Sequence, residues 1–124
     1  MPSQEATADA RWRRVLTVGV VLLVGSLVPS PFDRHEAFDT YGPDKWLHFV
    51  GHVAFAVTLA DAFAADGTAN PISGGGALCG SVLLGLAVGY LQQYVPGRVP
   101  ERADLVAGVL GSMLGVGWWY RSTE

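Results

Sequence analysis

Residues 43–52 read PDKWLHFVGH and place four ionisable side chains, Asp44, Lys45, His48 and His52, in one short stretch. On a helix, positions 44, 48 and 52 follow one another every fourth residue and Lys45 lies three before His48, so all four share one broad face. An imidazole beside a carboxylate can give or take a proton near neutral pH, and a lysine beside both can hold an anion. Two histidines and a carboxylate at this spacing also have the pattern of metal ligands. The intervening glutamate of an HExxH motif is missing, however, and no metal or cofactor is expected. The stretch opens an apolar tract, and ionisable groups in such tracts mark a site or an interior cavity.

The elements that must carry these groups are membrane helices. Half of the 124 residues are hydrophobic, 15% are charged and the mean hydropathy is +0.31. A soluble domain carries about 25% charge. Neutral tracts occupy residues 15–32, 46–60, 67–97 and 105–120. Because a helix needs about 20 residues to span, the first and third suffice and the second and fourth borrow flanking residues. The fold class expected is therefore all-α: four transmembrane helices in a small polytopic bundle, multi-pass in the cell membrane. Arg11, Arg13 and Arg14 before the first tract also suit a signal peptide, but the tract ends in VPSPF without a small-x-small cleavage pattern, so it is read as a retained span. These arginines hold the amino terminus, and with four spans both termini, in the cytoplasm. With a net charge of −3 there is no basic surface for nucleic acid.

Residues 1–10 are expected to form a disordered tail and helix one to cover 12–28. A mixed-charge external loop follows at 30–43, then helix two at 44–64, with Asp61 near its inner end. The internal segment DGTANPISGGG is read as a flexible turn; its Gly74 to Gly76 run lacks the lysine and Ser/Thr of a phosphate loop. Helix three is expected over 78–95, with the single cysteine, Cys79, as a buried packing residue and Gly85 and Gly89 as a small-xxx-small pair that admits a neighbouring backbone. After a second external loop at 96–103, helix four covers 101–120. Gly108, Gly111 and Gly115 line one of its faces, and Trp118, Trp119 and Tyr120 form an inner aromatic belt.

This topology gathers Asp44, Lys45, His48, His52, Gln92, Gln93, Arg98, Arg102 and Asp104 at the outer face. Arg98 on a Pro-Gly turn can clamp a phosphate or carboxylate bidentately, or act as a topology charge. Lys45 is a second anion contact or the partner of Asp44 or Asp104. Asp104 stabilises the start of helix four or orients a ligand. Gln92 joins helices or contacts a ligand, and His48 acts by hydrogen bonding or proton transfer, or makes a polar contact between helices.

DKWLH, followed by LQQYVPGRVPERADLVAGVLGSMLG, resembles the VanZ-like family of small integral membrane proteins, named for a teicoplanin-resistance accessory protein. The family shows an Asp-Lys pair with a histidine three after the lysine, then Glu-x-x-Gln, Pro-Gly-Arg and Asp-x-x-x-Asn-x-x-Gly. The matching positions are Asp44, Lys45, His48, Gln92, Pro96, Gly97, Arg98, Asp104 and Gly111. The match is strongest over 43–115 of a domain spanning 11–124. Two positions depart from it: Gly89 stands for the glutamate and Gly108 for the asparagine, so that if the glutamate is an essential base or metal ligand the chain either lacks that activity or has moved the role to His52. The resemblance implies a small integral membrane protein and fixes fold and location better than function; the clustered residues themselves are read as an outer-face pocket that binds an envelope lipid or lipid-linked head group through Lys45, Gln92, Arg98 and Asp104, modulating envelope properties or glycopeptide susceptibility. Two alternatives use the same residues. In the first, His48 and Asp44 are catalytic in phosphoryl transfer or hydrolysis of a lipid-linked substrate. In the second, the chain is a structural subunit whose glycine faces drive an oligomer or hold a partner membrane protein.

Overall fold

Proline, glycine and charge decide where the helices begin and end. The computed structural model describes residues 4–27, 43–94 and 102–123. Its elements are α1 (Gln4–Leu27), α2 (Pro43–Ala65), α3 (Asn70–Gln92) and α4 (Arg102–Ser122). α1 starts earlier than the expected residue 12, because Glu5, Ala6, Ala8 and Ala10 are good helix formers with a carboxylate in the first turn. α2 opens on Pro43, and α4 carries Asp104 in its first turn and Arg121 in its last, each complementing the helix dipole.

The α2–α3 connection is shorter than the expected turn. Gly67 takes φ +94° and its N–H donates to the Ala64 carbonyl at 3.1 Å, a left-handed stop that suits glycine. α3 then begins at Asn70 with Pro71 in its first turn, so the Asn-Pro pair starts a helix instead of breaking one. The glycine run is helical too. A Cβ on Gly74 would lie 3.3 Å from Val116 and 3.4 Å from Tyr120, and one on Gly76 would lie 3.3 Å from Phe63. These glycines are where large side chains of α2 and α4 pack onto α3.

Contacts set the directions of the helices. Gly25 meets Leu47 and Gly19 meets Phe55, so α1 and α2 are antiparallel. Gly80 meets Leu59 and Gly85 meets His52, so α2 and α3 are antiparallel as well. Gly111 meets the Phe49 carbonyl and Gly115 the Val53 carbonyl, so α2 and α4 run in parallel, backbone against backbone. α2 packs against all three other helices.

The two ends of the bundle differ in chemistry. At the end holding the start of α1 and the close of α2, Val15, Leu59, Ala60, Ala62, Ala77 and Trp119 form an apolar core. Trp12 packs edge-on to Phe63, with centroids 5.4 Å apart, and donates from Nε1 to Asp66 at 2.8 Å. Arg11 pairs with Asp61 at 2.6 Å, which gives the acid expected at the inner end of helix two a partner on α1. Two expectations are corrected here. Trp119 is core, not belt, while Trp118 remains exposed. Cys79 is exposed, because α3 turns Ser73, Ala77 and Ser81 inward and leaves position 79 on the outer side.

α2 over residues 46–65 and α3 over its whole length are long and apolar enough to cross a membrane. α1 carries Asp9, Arg11, Arg13 and Arg14 in its first half, and in α4 only residues 105–120 separate Asp104 from Arg121. Charge placement therefore singles out the middle two helices by composition.

Candidate functional site

Three stripes with a spacing of four meet at the end away from the apolar core: His48 and His52 on α2, Ser81, Gly85 and Gly89 on α3, and Asp104, Gly108 and Ser112 on α4. Residues so spaced stack along one helix face. His48 is buried, and its Nε2 lies 3.7 Å from Asp104 Oδ2, within ionic reach but longer than a direct hydrogen bond. One turn deeper, the His52 ring lies nearly parallel to that of His48, at 17° and 6.4 Å between centroids.

His52 begins a hydrogen-bonded series that ties three helices together. Its Nδ1 is 2.9 Å from Ser81 Oγ on α3, Ser81 Oγ is 2.6 Å from Ser112 Oγ on α4, and Ser112 Oγ donates to the Gly108 carbonyl at 2.7 Å. Ser81 and Ser112 are fully buried. The ring needs both flanking glycines: a Cβ on Gly108 would stand 3.0 Å from His52 Cδ2, and one on Gly85 3.3 Å from Cε1.

The expected site residues divide. His48, His52 and Asp104 come together. Gln92 is buried and donates from Nε2 to the Ser26 carbonyl at 2.9 Å, in the last turn of α1, where helix carbonyls lack partners within the helix. It therefore joins helices, one of the two roles expected of it. Gln93 and Arg102 are exposed at the same end. Arg98 and most of the two expected external loops lie outside the described residues, and so do the side chains of Asp44 and Lys45. Of the expected small-residue pair, Gly85 meets His52 and Leu105, whereas a Cβ on Gly89 would meet nothing within 4 Å. The close approach expected at Gly89 is not made by any described residue; the backbone that comes close to another helix is that of α4, at Gly111 and Gly115.

Ser81 and Ser112 are the site residues that sequence reasoning missed. The available signal was their register, four residues from Gly85 and Gly108. Among the described residues, no group of three His, Cys, Asp or Glu side chains lies close enough to hold a metal ion. What the arrangement offers is a carboxylate that can orient and charge-stabilise the His48 imidazole, above a deeper imidazole held by two hydroxyls. No family model, curated protein or solved structure matches the chain.

Proposed function

We propose that this chain is a VanZ-like, four-span protein of the cell membrane, with both termini cytoplasmic and a polar pocket at the outer face for the head group of an envelope lipid or lipid-linked precursor. The observation that carries this reading is the Asp104–His48 pair at 3.7 Å, with His48 buried and the Asp104 side chain 11% exposed, at the end of the bundle away from its apolar core. Removing a carboxylate and an imidazole from water is costly, and groups kept there have a role in binding or chemistry. Membrane embedding of all four helices is supported by outward apolar side chains on each, among them Leu16, Val20 and Val24 on α1 and Leu110, Met113 and Leu114 on α4. Arg98 and Lys45 would hold the anionic part of the head group, where charge-assisted hydrogen bonds are strongest. Asp104 and His48 would orient the remainder, and modulation of envelope properties or glycopeptide susceptibility would follow from that binding.

A second reading is favoured by the same pair. A carboxylate facing an imidazole is the arrangement of an oriented general base, and His48 could take the proton from a hydroxyl or water attacking a lipid-linked phosphoryl group. The test is native mass spectrometry of the protein released from its own membranes, comparing wild type with Arg98→Ala and Gly89→Leu. Gly89→Leu adds a side chain at a position where a Cβ meets nothing within 4 Å among the described residues, so it would fill the proposed head-group space without displacing any of them at Cβ. The head-group reading expects a phospholipid or lipid-linked adduct in the wild type that is lost in both variants. Equal retention in all three proteins refutes it. Turnover of the retained molecule, abolished in His48→Gln, would establish the enzyme reading.

A further inference from the structure

α1 and α3 are flush at one end of the bundle and unequal at the other. Gln92, the last residue of α3, donates from Nε2 to the carbonyl of Ser26 in the last turn of α1 at 2.9 Å, which sets the two helices level there. From that level α3 stays neutral from Leu91 to Ile72, about 30 Å of helix and the thickness of a hydrocarbon core. α1 stays neutral only as far as Val15, and Arg14 and Arg13 follow about 18–20 Å from Ser26. A second contact gives the same offset. Trp12 packs on Phe63, whose ring lies 3.3 Å from a Cβ on Gly76, and Gly76 is about 9 Å from the start of α3 at Asn70. The basic turn of α1 therefore lies at a depth where α3 is still neutral.

The three arginines of that turn differ in their surroundings. Arg11 pairs with Asp61 of α2 at 2.6 Å. Arg13 and Arg14 are exposed on the outer side of α1, which Leu16, Val20, Val21 and Val24 continue toward the other end. Arg13 donates from Nε to the Asp9 carbonyl at 3.4 Å, and among the described residues no carboxylate pairs with either guanidinium. A charge at that depth is stable only where phosphate and water come to it. Side chains on a helix lean toward its amino terminus, which on α1 is the direction of the nearer head groups.

Building on the four-span reading but not on the outer pocket, we propose that Arg13 and Arg14 form an inner-leaflet site for the phosphate of an anionic phospholipid. The arginines snorkel toward the surface and the phosphate is drawn inward to meet them, so the leaflet is thinned beside α1. The occupant is a lipid and not a free anion, because the apolar stripe of α1 that continues from the arginines seats its acyl chains.

The test uses the full chain in nanodiscs of phosphatidylcholine and phosphatidylglycerol with the same acyl chains, where orientation is immaterial. Lipid retained on the protein is counted by native mass spectrometry. The preference of the wild type for phosphatidylglycerol is expected to fall about 25-fold in Arg13→Gln/Arg14→Gln, about fivefold for each arginine, the equivalent of about 1 kcal/mol apiece. Arg13→Lys/Arg14→Lys, which keeps the charge, should retain most of it. An unchanged preference in the glutamine variant overturns the proposal. Displacement of the lipid by an equal concentration of soluble glycerol phosphate does so too, since it would mark a site for free anions. The unaltered chain is tested by solid-state NMR with 13C at arginine Cζ and recoupling to lipid 31P. Two signals, assigned by their absence from the glutamine variant, should be dephased by phosphate, and intact intensity for both overturns the proposal. Val20→Trp checks the four-span reading separately, because brominated acyl chains should quench its fluorescence. Absence of quenching refutes that reading together with the proposal, whereas quenching with an unchanged lipid preference refutes the proposal alone.

Discussion

Replacing Gly111 by alanine tests the closest approach between helices in the bundle. An alanine Cβ there would sit against the Phe49 carbonyl, with Phe49 carbonyl carbon at 3.1 Å and Cα at 3.3 Å. All three atoms are backbone, so no rotamer change relieves the clash and α4 must move away from α2. Overpacking of this kind costs about 1–3 kcal/mol, and the upper half of that range applies where the obstacle is backbone. The substitution also gains about 1 kcal/mol of helix propensity, which would hide part of the loss. Gly117→Ala supplies the control, since a Cβ on Gly117 meets nothing within 4 Å on the same helix. The difference between the two variants cancels the propensity gain and leaves the steric cost. Reversible unfolding in mixed detergent micelles, followed by tryptophan fluorescence, should place Gly111→Ala about 2–3 kcal/mol below Gly117→Ala. Gly115→Ala should fall in the same direction, its Cβ being 2.6 Å from the Val53 carbonyl oxygen. Equal stability of Gly111→Ala and Gly117→Ala would refute the backbone-to-backbone packing of α2 on α4.

Two further outcomes are expected at the ends of the bundle. Gln92→Leu leaves the Ser26 carbonyl without its 2.9 Å partner and should lower stability in the same assay by about 1 kcal/mol; a wild-type midpoint would show that α1 is not clasped there. A double-mutant cycle on Arg11→Ala and Asp61→Ala should return a coupling of about 0.2–1 kcal/mol, because the pair is only half-buried at 33% and 37% exposure, and the coupling should shrink as salt is raised. Zero coupling at low salt would mean that the 2.6 Å contact does not hold α1 to α2.

The four helices were legible because charge and proline separate four neutral tracts, and their order along the chain was legible for the same reason. Residues 70–77 have the look of a turn in the sequence, because Asn-Pro and a triple glycine carry turn signals whichever role they play. Only the positions of Phe63, Val116 and Tyr120 show that those glycines admit side chains from α2 and α4. The rotation of each helix about its axis was less legible. α3 is apolar on its outer face as well as on its inner one, with Leu83 and Leu86 outside and Ala77 and Val88 inside, so hydrophobic periodicity does not say which way Cys79 faces. In a helix apolar on both faces, small residues mark the inner face better than large ones do, as Ser73, Gly74, Ala77 and Ser81 do on α3. The His48–Asp104 contact could be anticipated because both residues are ionisable and both open their helices. Ser81 and Ser112 gave no comparable sign, since a serine in an apolar helix can bond its own preceding turn, as Ser112 does with Gly108.

Under the VanZ-like reading proposed above, Gly89 and Gly108 stand where that pattern has its glutamate and asparagine, and their surroundings are opposite. Gly108 is fully occupied: the His52 ring comes within 3.0 Å of where a Cβ would be, so an asparagine could enter only if position 52 became smaller or turned away. Glycine at 108 and histidine at 52 are thus one coupled choice, with the imidazole of α2 filling the volume that an amide of α4 would need. Gly89 differs: among the described residues a Cβ there meets nothing within 4 Å. Of the two polar side chains that the pattern would have, one is replaced from across the bundle by a ring that is hydrogen-bonded to Ser81 and through it to Ser112. The other position keeps glycine, one turn along α3 from the Gly85 that meets His52 and Leu105, and under the proposed reading it is there that a head group would lie.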